Sequence, residues 1–246
     1  MKKTAKMQVE IFHLLFLQQF ASQIAPTLYA IKGGCNLRFF FASVRYSEDL
    51  DIDVATIQKL TLEKKITKIL KSPALSKLLQ EYDIRRITFS APKQTPTTQR
   101  WKIQLHTTHD LALNTKIECS RRAAKFKNTL SNVTKALCQR YHLAPFRLSH
   151  YDIDDAINQK ISALANRTLT QARDAFDLYH LLHIESHQPP SLSPVIREKA
   201  REALATIRFS DYKSQVINFL EPEKQIEFDS KSYWRAMVDT LMEFLQ

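Results

Sequence analysis

The chain has 246 residues, 44% of them apolar and 25% charged, long enough for one large domain or two small ones, and that balance excludes a disordered chain. Lysine and arginine number 36 against 25 aspartates and glutamates, a net charge of +11, so the surface attracts polyanions such as nucleic acid or nucleotide phosphates. Cys35, Cys119 and Cys138 show no CxxC spacing, which excludes a zinc-ligand set and fits a reducing cytoplasm.

Basic residues up to Lys6 and an apolar run at 11–17 imitate a secretory signal. His13, Gln18 and Gln19 interrupt the imitation, and no small-residue cleavage site follows. Ile11, Leu14, Leu15, Gln18 and Ser22 instead predict one face of an amphipathic helix ending near Pro26. No stretch reaches the roughly 18 to 20 apolar residues of a membrane span. Residues 27–32 read as a short strand, followed by the chain's two glycines, Gly33 and Gly34, and a helix over 35–44. Average usage of about 7% would supply many more glycines. A lone adjacent pair marks a place that needs positive φ or close approach of a ligand, or simply a strand-to-helix turn.

Residues 48–54 (EDLDIDV) alternate acid and aliphatic with the period of a strand. A helix over 56–82 broken at Pro73 follows, then strands at 84–91 and 101–106 around a polar loop, and a strand at 115–120. From Tyr151 the pattern turns helical, at 152–166, 170–184, 194–207, 211–220 and 230–245, with 186–193 (SHQPPSLS) as the clearest linker. The expectation is an α/β part over 1–150, with a mixed sheet and flanking helices, and a helical part over 151–246.

In 49–53 (DLDID) the aliphatic residues point into a core and Asp49, Asp51 and Asp53 point together the other way. Same-face neighbours on a strand lie about 6.5 to 7 Å apart, so the carboxylates repel unless they are solvated, protonated or bridged by a cation. Either this is an edge strand with a solvated acidic face, or a divalent metal sits among the acids. A Gly-Gly turn opening a helix presents backbone N–H groups to an anion shortly before the acids that would hold a metal on it. Joined, the two features point to a nucleoside triphosphate site. Glu118 is the candidate third acid, sharing a face with Lys116; an ordinary surface pair is the alternative.

The segments 32–38 (KGGCNLR) and 45–53 (RYSEDLDID), then 116–118 (KIE), 160–167 (KISALANR) and 173–179 (RDAFDLY), in that order, resemble the AbiEii-type nucleotidyltransferase toxins, including the MenT-like enzymes, within the DNA polymerase β superfamily. The resemblance spans residues 32–179. It implies a nucleotidyltransferase sheet with the helical part closing over the nucleotide. It further implies transfer of a nucleoside monophosphate from an NTP to an acceptor hydroxyl, with Mg²⁺ (or Mn²⁺) as cofactor. Asp49 and Asp51 would hold the metal, and Glu118 would either complete the metal site or deprotonate the acceptor hydroxyl. Gly33, Gly34, Arg38, Ser47, Lys116, Lys160 and Arg167 would bind the nucleotide, and Asp174 or Asp177 would complete the catalytic set. The acceptor it implies is a tRNA 3′ end, and the biology a cytoplasmic toxin of a type IV toxin–antitoxin or phage-defence pair whose separately encoded antitoxin need not touch it. Cys35 stands where the family usually has Ser or Thr, and a thiol is a poor phosphate donor.

Read physically, Lys160, Leu164 and Arg167 share a helix face, so both cations can reach one polyanion, while Asp174 and Asp177 edge a buried stripe, with an intrahelical Arg173–Asp177 pair as the plain alternative. Arg38 could instead pair with the acidic strand. His180 and His183 lack a third ligand for zinc and read as a helix end. The run 121–127 (RRAAKFK) is either an approach for acceptor RNA or a solvated loop. Two further functions stay open: nucleotidylylation of a protein or small molecule, and a non-catalytic RNA-binding module.

Overall fold

A computed structural model of the chain describes residues 3–109, 111–122, 126–184 and 192–246. Helix α1 (Ala5–Ala21) opens it, its first turn capped by the Thr4 side chain, which accepts from the Met7 amide. The expected amphipathic face is corrected here: α1 is buried on all sides from Met7 to Leu17, Gln8, Glu10 and His13 included. Gln18 and Ser22, placed on the apolar face by periodicity, are the more exposed positions. The polar residues are tolerated inside because each has a partner, as Glu10 does in Arg38 and Tyr141.

Among the described residues, seven strands form one mixed sheet: β1 (Tyr29–Lys32), β2 (Leu50–Val54), β3 (Ile84–Gln94), β4 (Thr98–Thr107), β5 (Ala112–Ser120), β6 (Thr129–Asn132) and β7 (Arg147–His150). Their order is β3-β4-β5-β2-β1-β7-β6, with β2 antiparallel to β1 and parallel to β5. The predicted strands are present: β1 and β2 begin at Tyr29 and Leu50, later than the expected 27 and 48, while β3, β4 and β5 are longer than expected, β3 and β4 closing the loop between them into a hairpin. β6 and β7 have no counterpart in the sequence reading. Helix α2 (Gly33–Phe40) follows β1 directly and ends before the expected 44. Pro73 starts a helix rather than breaking one: α3 (Lys59–Leu70) ends, and α4 (Pro73–Gln80) begins with Ser72 accepting from the Leu75 amide. A short α5 (Lys135–Arg140) lies between β6 and β7. Leu50, Ile52, Ile117, Cys119, Trp101 and Ile103 are buried, with α1 packed against β5 and α3 and α4 against β3.

The chain divides into two compact units, one of Met1–Phe40 with Ser47–Tyr151, the other of Phe41–Tyr46 with Asp152–Gln246. The second unit is helical: α6 (Ile153–Asn166), α7 (Ala172–Leu182), α8 (Pro194–Thr206), α9 (Phe209–Gln215), α10 (Pro222–Phe228) and α11 (Lys231–Phe244). Asp152, Ser193 and Ser230 cap α6, α8 and α11 through their side chains. The single helix expected over 211–220 divides at Val216, and α10, with Pro222 in its first turn, was not foreseen. Phe41–Tyr46 joins this unit by backbone hydrogen bonds, Tyr46 to the Phe219 carbonyl and Glu221 to the Val44 carbonyl. Most of the linker at 186–193 and the middle of the basic run 121–127 lie outside the described residues.

Candidate active site

The acidic strand folds as its alternation dictates: Leu50, Ile52 and Val54 are buried, and Asp51 and Asp53 lie on the opposite face. Register places Asp51 between Lys32 on β1 and Glu118 on β5. Register partners share a face, so the same face continues across the sheet through Arg100, opposite Glu118, and Lys102, opposite Lys116.

Asp49, Asp53 and Glu118 each have a cation here. Lys116 Nζ lies 2.6 Å from Asp49 Oδ2, Lys32 Nζ 2.6 Å from Asp53 Oδ1, and Arg100 Nε donates to Glu118 Oε2 at 2.6 Å. The Tyr151 hydroxyl also donates to Asp53 Oδ2 at 2.7 Å, which makes Asp53 the buried, structural member of the three aspartates. Burial pushes the Asp51 carboxyl above the ordinary carboxylate range; Lys116 and Lys32 pull it back, and Asp49 and Glu118 push it further up. Among the described residues no three Asp, Glu, His or Cys side chains converge as a ready-made metal cluster. Asp49 and Glu118 are instead turned onto Lys116 and Arg100.

The glycine corner abuts this face. Gly33 has φ +65°, the left-handed conformation that favours glycine, and a Cβ there would sit 3.3 Å from Asp51 Oδ2. Gly33 and Gly34 open α2, so their N–H groups belong to its unsatisfied first turn. Cys35 is fully buried and bonds the Asp49 carbonyl rather than facing the ligand side. Ser47 likewise donates to the Asp49 carbonyl, at 2.9 Å. Arg38 is not gathered with these residues: it is buried and donates to Glu10 at 2.6 Å, not to the acidic strand.

In the helical unit, the cations that share a face of α6 meet a carboxylate of their own chain. Lys160 Nζ lies 2.9 Å from Asp174 Oδ1 and 2.6 Å from Asp177 Oδ2, and Arg167 Nε lies 2.7 Å from Asp174 Oδ2. Asp177 takes a two-pronged bond from Arg45, Nε to Oδ1 at 2.9 Å and Nη2 to Oδ2 at 2.7 Å, in place of the intrahelical pair with Arg173. Burial alone would raise the Asp177 carboxyl, but Arg45 and Lys160 hold it far below the ordinary range. His183 caps α7, and His180 bonds the Phe41 carbonyl. Arg121, at the start of the basic run, donates to the Ile57 carbonyl.

Lys32, Arg100, Tyr151 and Arg45 escaped the sequence reading. Lys32 and Arg45 stand inside the segments that carry the resemblance, and a cation abutting the glycine pair was the available signal; the pairing of Arg100 with Glu118 exists only through strand register.

A sequence profile described as the AbiEii nucleotidyl transferase toxin of type IV toxin–antitoxin systems matches residues 15–246. No match is found among curated proteins. Among solved structures the chain is similar to JHP933 from Helicobacter pylori, with 19% identity, a TM-score of 0.59 and coverage of 98% of this chain and 93% of that one. It is similar also to MenT4, a nucleotidyltransferase toxin from Mycobacterium tuberculosis, with 15% identity, a TM-score of 0.63 and coverage of 98% and 84%. At these identities the structural likeness speaks for the fold, and the profile, which runs from within α1 to the last residue, speaks for the family. A sheet that sets a glycine corner against clustered aspartates is therefore, in this chain, the sheet of a nucleotidyltransferase belonging to the AbiEii family of type IV toxins.

Proposed function

We propose that the chain transfers a nucleoside monophosphate from an NTP to the hydroxyl at the 3′ end of a tRNA, in the presence of Mg²⁺ or Mn²⁺, as the cytoplasmic toxin of a pair that serves phage defence. The observation that carries this reading is the surrounding of Asp51: a half-buried carboxyl flanked by Asp49 and Glu118, balanced by Lys116 and Lys32, with the glycine corner against its Oδ2. An excess of like charge at a phosphate-binding turn is what a divalent cation relieves.

Asp49, Asp51 and Glu118 form an all-oxygen donor set suited to a hard ion and would hold it. When bound, such an ion supplies charge stabilisation to the attacking and leaving oxygens. The N–H groups of Gly33 and Gly34 bind phosphate oxygens at the start of α2. Lys116, freed from Asp49, neutralises phosphate charge, and Glu118, oriented by Arg100, receives the proton of the acceptor hydroxyl. The resemblance makes Lys160 a further phosphate-binding lysine; within the helical unit its ammonium is held by Asp174 and Asp177.

An RNA acceptor is supported by the rest of the sheet face. Arg86, Lys93 and Lys102 share it by register with His106, Arg100 and Ser90, and carry no ion pair among the described residues. Lys102 stands directly opposite Lys116, a like-charge pairing that an anion stabilises. The face is otherwise polar, with Thr88, Ser90, Gln104 and Asn114, so it suits tracking of a phosphate backbone more than stacking of bases.

Incubation of the purified protein with each α-phosphate-labelled NTP, Mg²⁺ and total tRNA tests the reading. Label is expected on RNA, falling by about a hundredfold or more in Asp49→Ala, the scale of loss when an electrostatic catalytic group is removed. Label on protein, or RNA binding without transfer, would overturn it.

A further inference from the structure

Asp51 and Asp49 are held in different ways. Asp51 lies in the ladder, paired with Lys32 on one side and Glu118 on the other. Asp49 precedes the strand, whose register begins at Leu50, so the sheet does not position it. What does is a set of side chains from four separate segments, buried except for the half-buried Ser47. The Thr115 hydroxyl, on β5, donates to the Glu48 carbonyl at 2.7 Å. The Cys35 thiol, on α2, lies 3.3 Å from the Asp49 carbonyl, which also accepts from Ser47 at 2.9 Å. Behind them His13, on α1, places Nε2 2.8 Å from Thr115 Oγ1 and Nδ1 3.7 Å from Cys35 Sγ.

The proton count settles the direction of this chain. A threonine hydroxyl has a single proton; spent on the Glu48 carbonyl, it leaves Thr115 as the acceptor from His13. His13 therefore carries its proton on Nε2, with a lone pair at Nδ1; the Cys35 thiol, with one proton of its own, donates to that lone pair or to the Asp49 carbonyl but not to both, and Ser47 holds the Asp49 carbonyl in either case. Both carbonyls entering the acidic strand are thereby fixed by donors that the ladder does not provide.

We propose that His13, Thr115, Cys35 and Ser47 form a clamp that positions Asp49 for metal binding, with His13 acting through Thr115. This rests on the assignment of Asp49 as a metal ligand. Thr115→Val removes the hydroxyl at nearly constant volume, and Thr115→Ser restores it. Two measurements are made on the full chain with melting temperatures recorded: ¹⁵N NMR of His13 to read its tautomer, and Mn²⁺ binding, with ATP present, by the electron paramagnetic resonance of the free ion. The wild type and Thr115→Ser are expected to show the Nε2–H tautomer and the same Mn²⁺ affinity. Thr115→Val is expected to lose the fixed tautomer and weaken Mn²⁺ by about tenfold, the worth of one hydrogen bond at a charged site. If Thr115→Val does not fold, Cys35→Ala, which leaves Thr115 and His13 in place, is expected to weaken Mn²⁺ by a smaller factor with the tautomer kept.

Asp49→Ala separates the two levels. If it abolishes Mn²⁺ binding while Thr115→Val leaves it unchanged, the clamp is overturned and the metal assignment stands. If it leaves Mn²⁺ affinity at the wild-type value, the metal assignment falls and the clamp with it. An Nδ1–H tautomer in the wild type overturns the clamp whatever the metal does.

Discussion

The sheet face and the α6–α7 pair use the same chemistry, a carboxylate against a cation at 2.6 to 2.9 Å, to opposite ends. On the sheet, the Lys116 and Asp49 side chains are 36% and 28% exposed, and those of Arg100 and Glu118 34% and 25%. In the helices, Asp174 and Asp177 are 1% and 0% exposed and share Lys160, with Arg167 and Arg45 closing the set. A half-exposed pair in water is worth about 0 to 1 kcal/mol and can be exchanged for another ion. A buried set holds its partners in place, because removing one leaves an uncompensated charge. The first arrangement suits a site that must accept solutes, the second a scaffold that must hold one ammonium in a fixed place.

The most direct way to break this contrast is to remove one cation from each region. Arg45→Met strands Asp177 without its two-pronged partner and is expected to destabilise the fold by about 3 to 5 kcal/mol in denaturant unfolding, whereas Lys116→Met should cost no more than about 1 kcal/mol. Equal losses would erase the distinction.

Acid sharpens it next, since each region has its own pH window. Burial lowers the His13 pKa from 6.5 to about 4, so the unfolded chain binds the extra proton first, and stability falls as pH drops from 6.5 towards 4. That shift corresponds to about 3 kcal/mol. Asp177 is also depressed, from the ordinary 3.8; its contribution is full above that value and is lost only as pH falls below it. His13→Gln should flatten the upper window and leave the lower one, as followed by unfolding free energy against pH. A variant that keeps the wild-type slope between pH 6.5 and 4 would show that His13 is not the group responsible.

The same contrast explains what could be read from the sequence. The acidic strand and the glycine corner are local patterns, with a period of two and a pair of residues lacking Cβ, and both were legible. Lys160, Asp174 and Asp177 were singled out through the resemblance, but Arg45 was not, because it reaches Asp177 from a segment 132 positions away. β6 and β7 were missed because each has four residues and no clean alternation, and they become strands only by pairing with one another and with β1. α1 was misread because a helix buried on every side has no polar face for periodicity to find; Glu10 and His13 look like surface residues until Arg38 and Thr115 are seen beside them. Arg100 illustrates the general limit: its role depends on standing opposite Glu118, which is a property of register and not of its neighbours in the chain.

The smallest expected effect tests whether the cations of the sheet face are available to a solute at all. Lys102 is exposed and carries no ion pair among the described residues, whereas Lys213, in the helical unit, is also exposed but lies 3.0 Å from Asp229. Replacing either by alanine should leave the melting temperature nearly unchanged, since surface positions away from special features cost within about 0.5 kcal/mol. Their effects on RNA should differ. A lysine that contacts a phosphate releases a counterion on binding, so Lys102→Ala should weaken tRNA binding and reduce the slope of log affinity against log salt by about 1. Lys213→Ala should leave that slope where it was, because its charge is already matched. Fluorescence anisotropy with labelled tRNA over a potassium chloride series measures both. If the two variants give the same slope, the free cations of β3 and β4 are only a solvated surface, and the acceptor must be sought along another face.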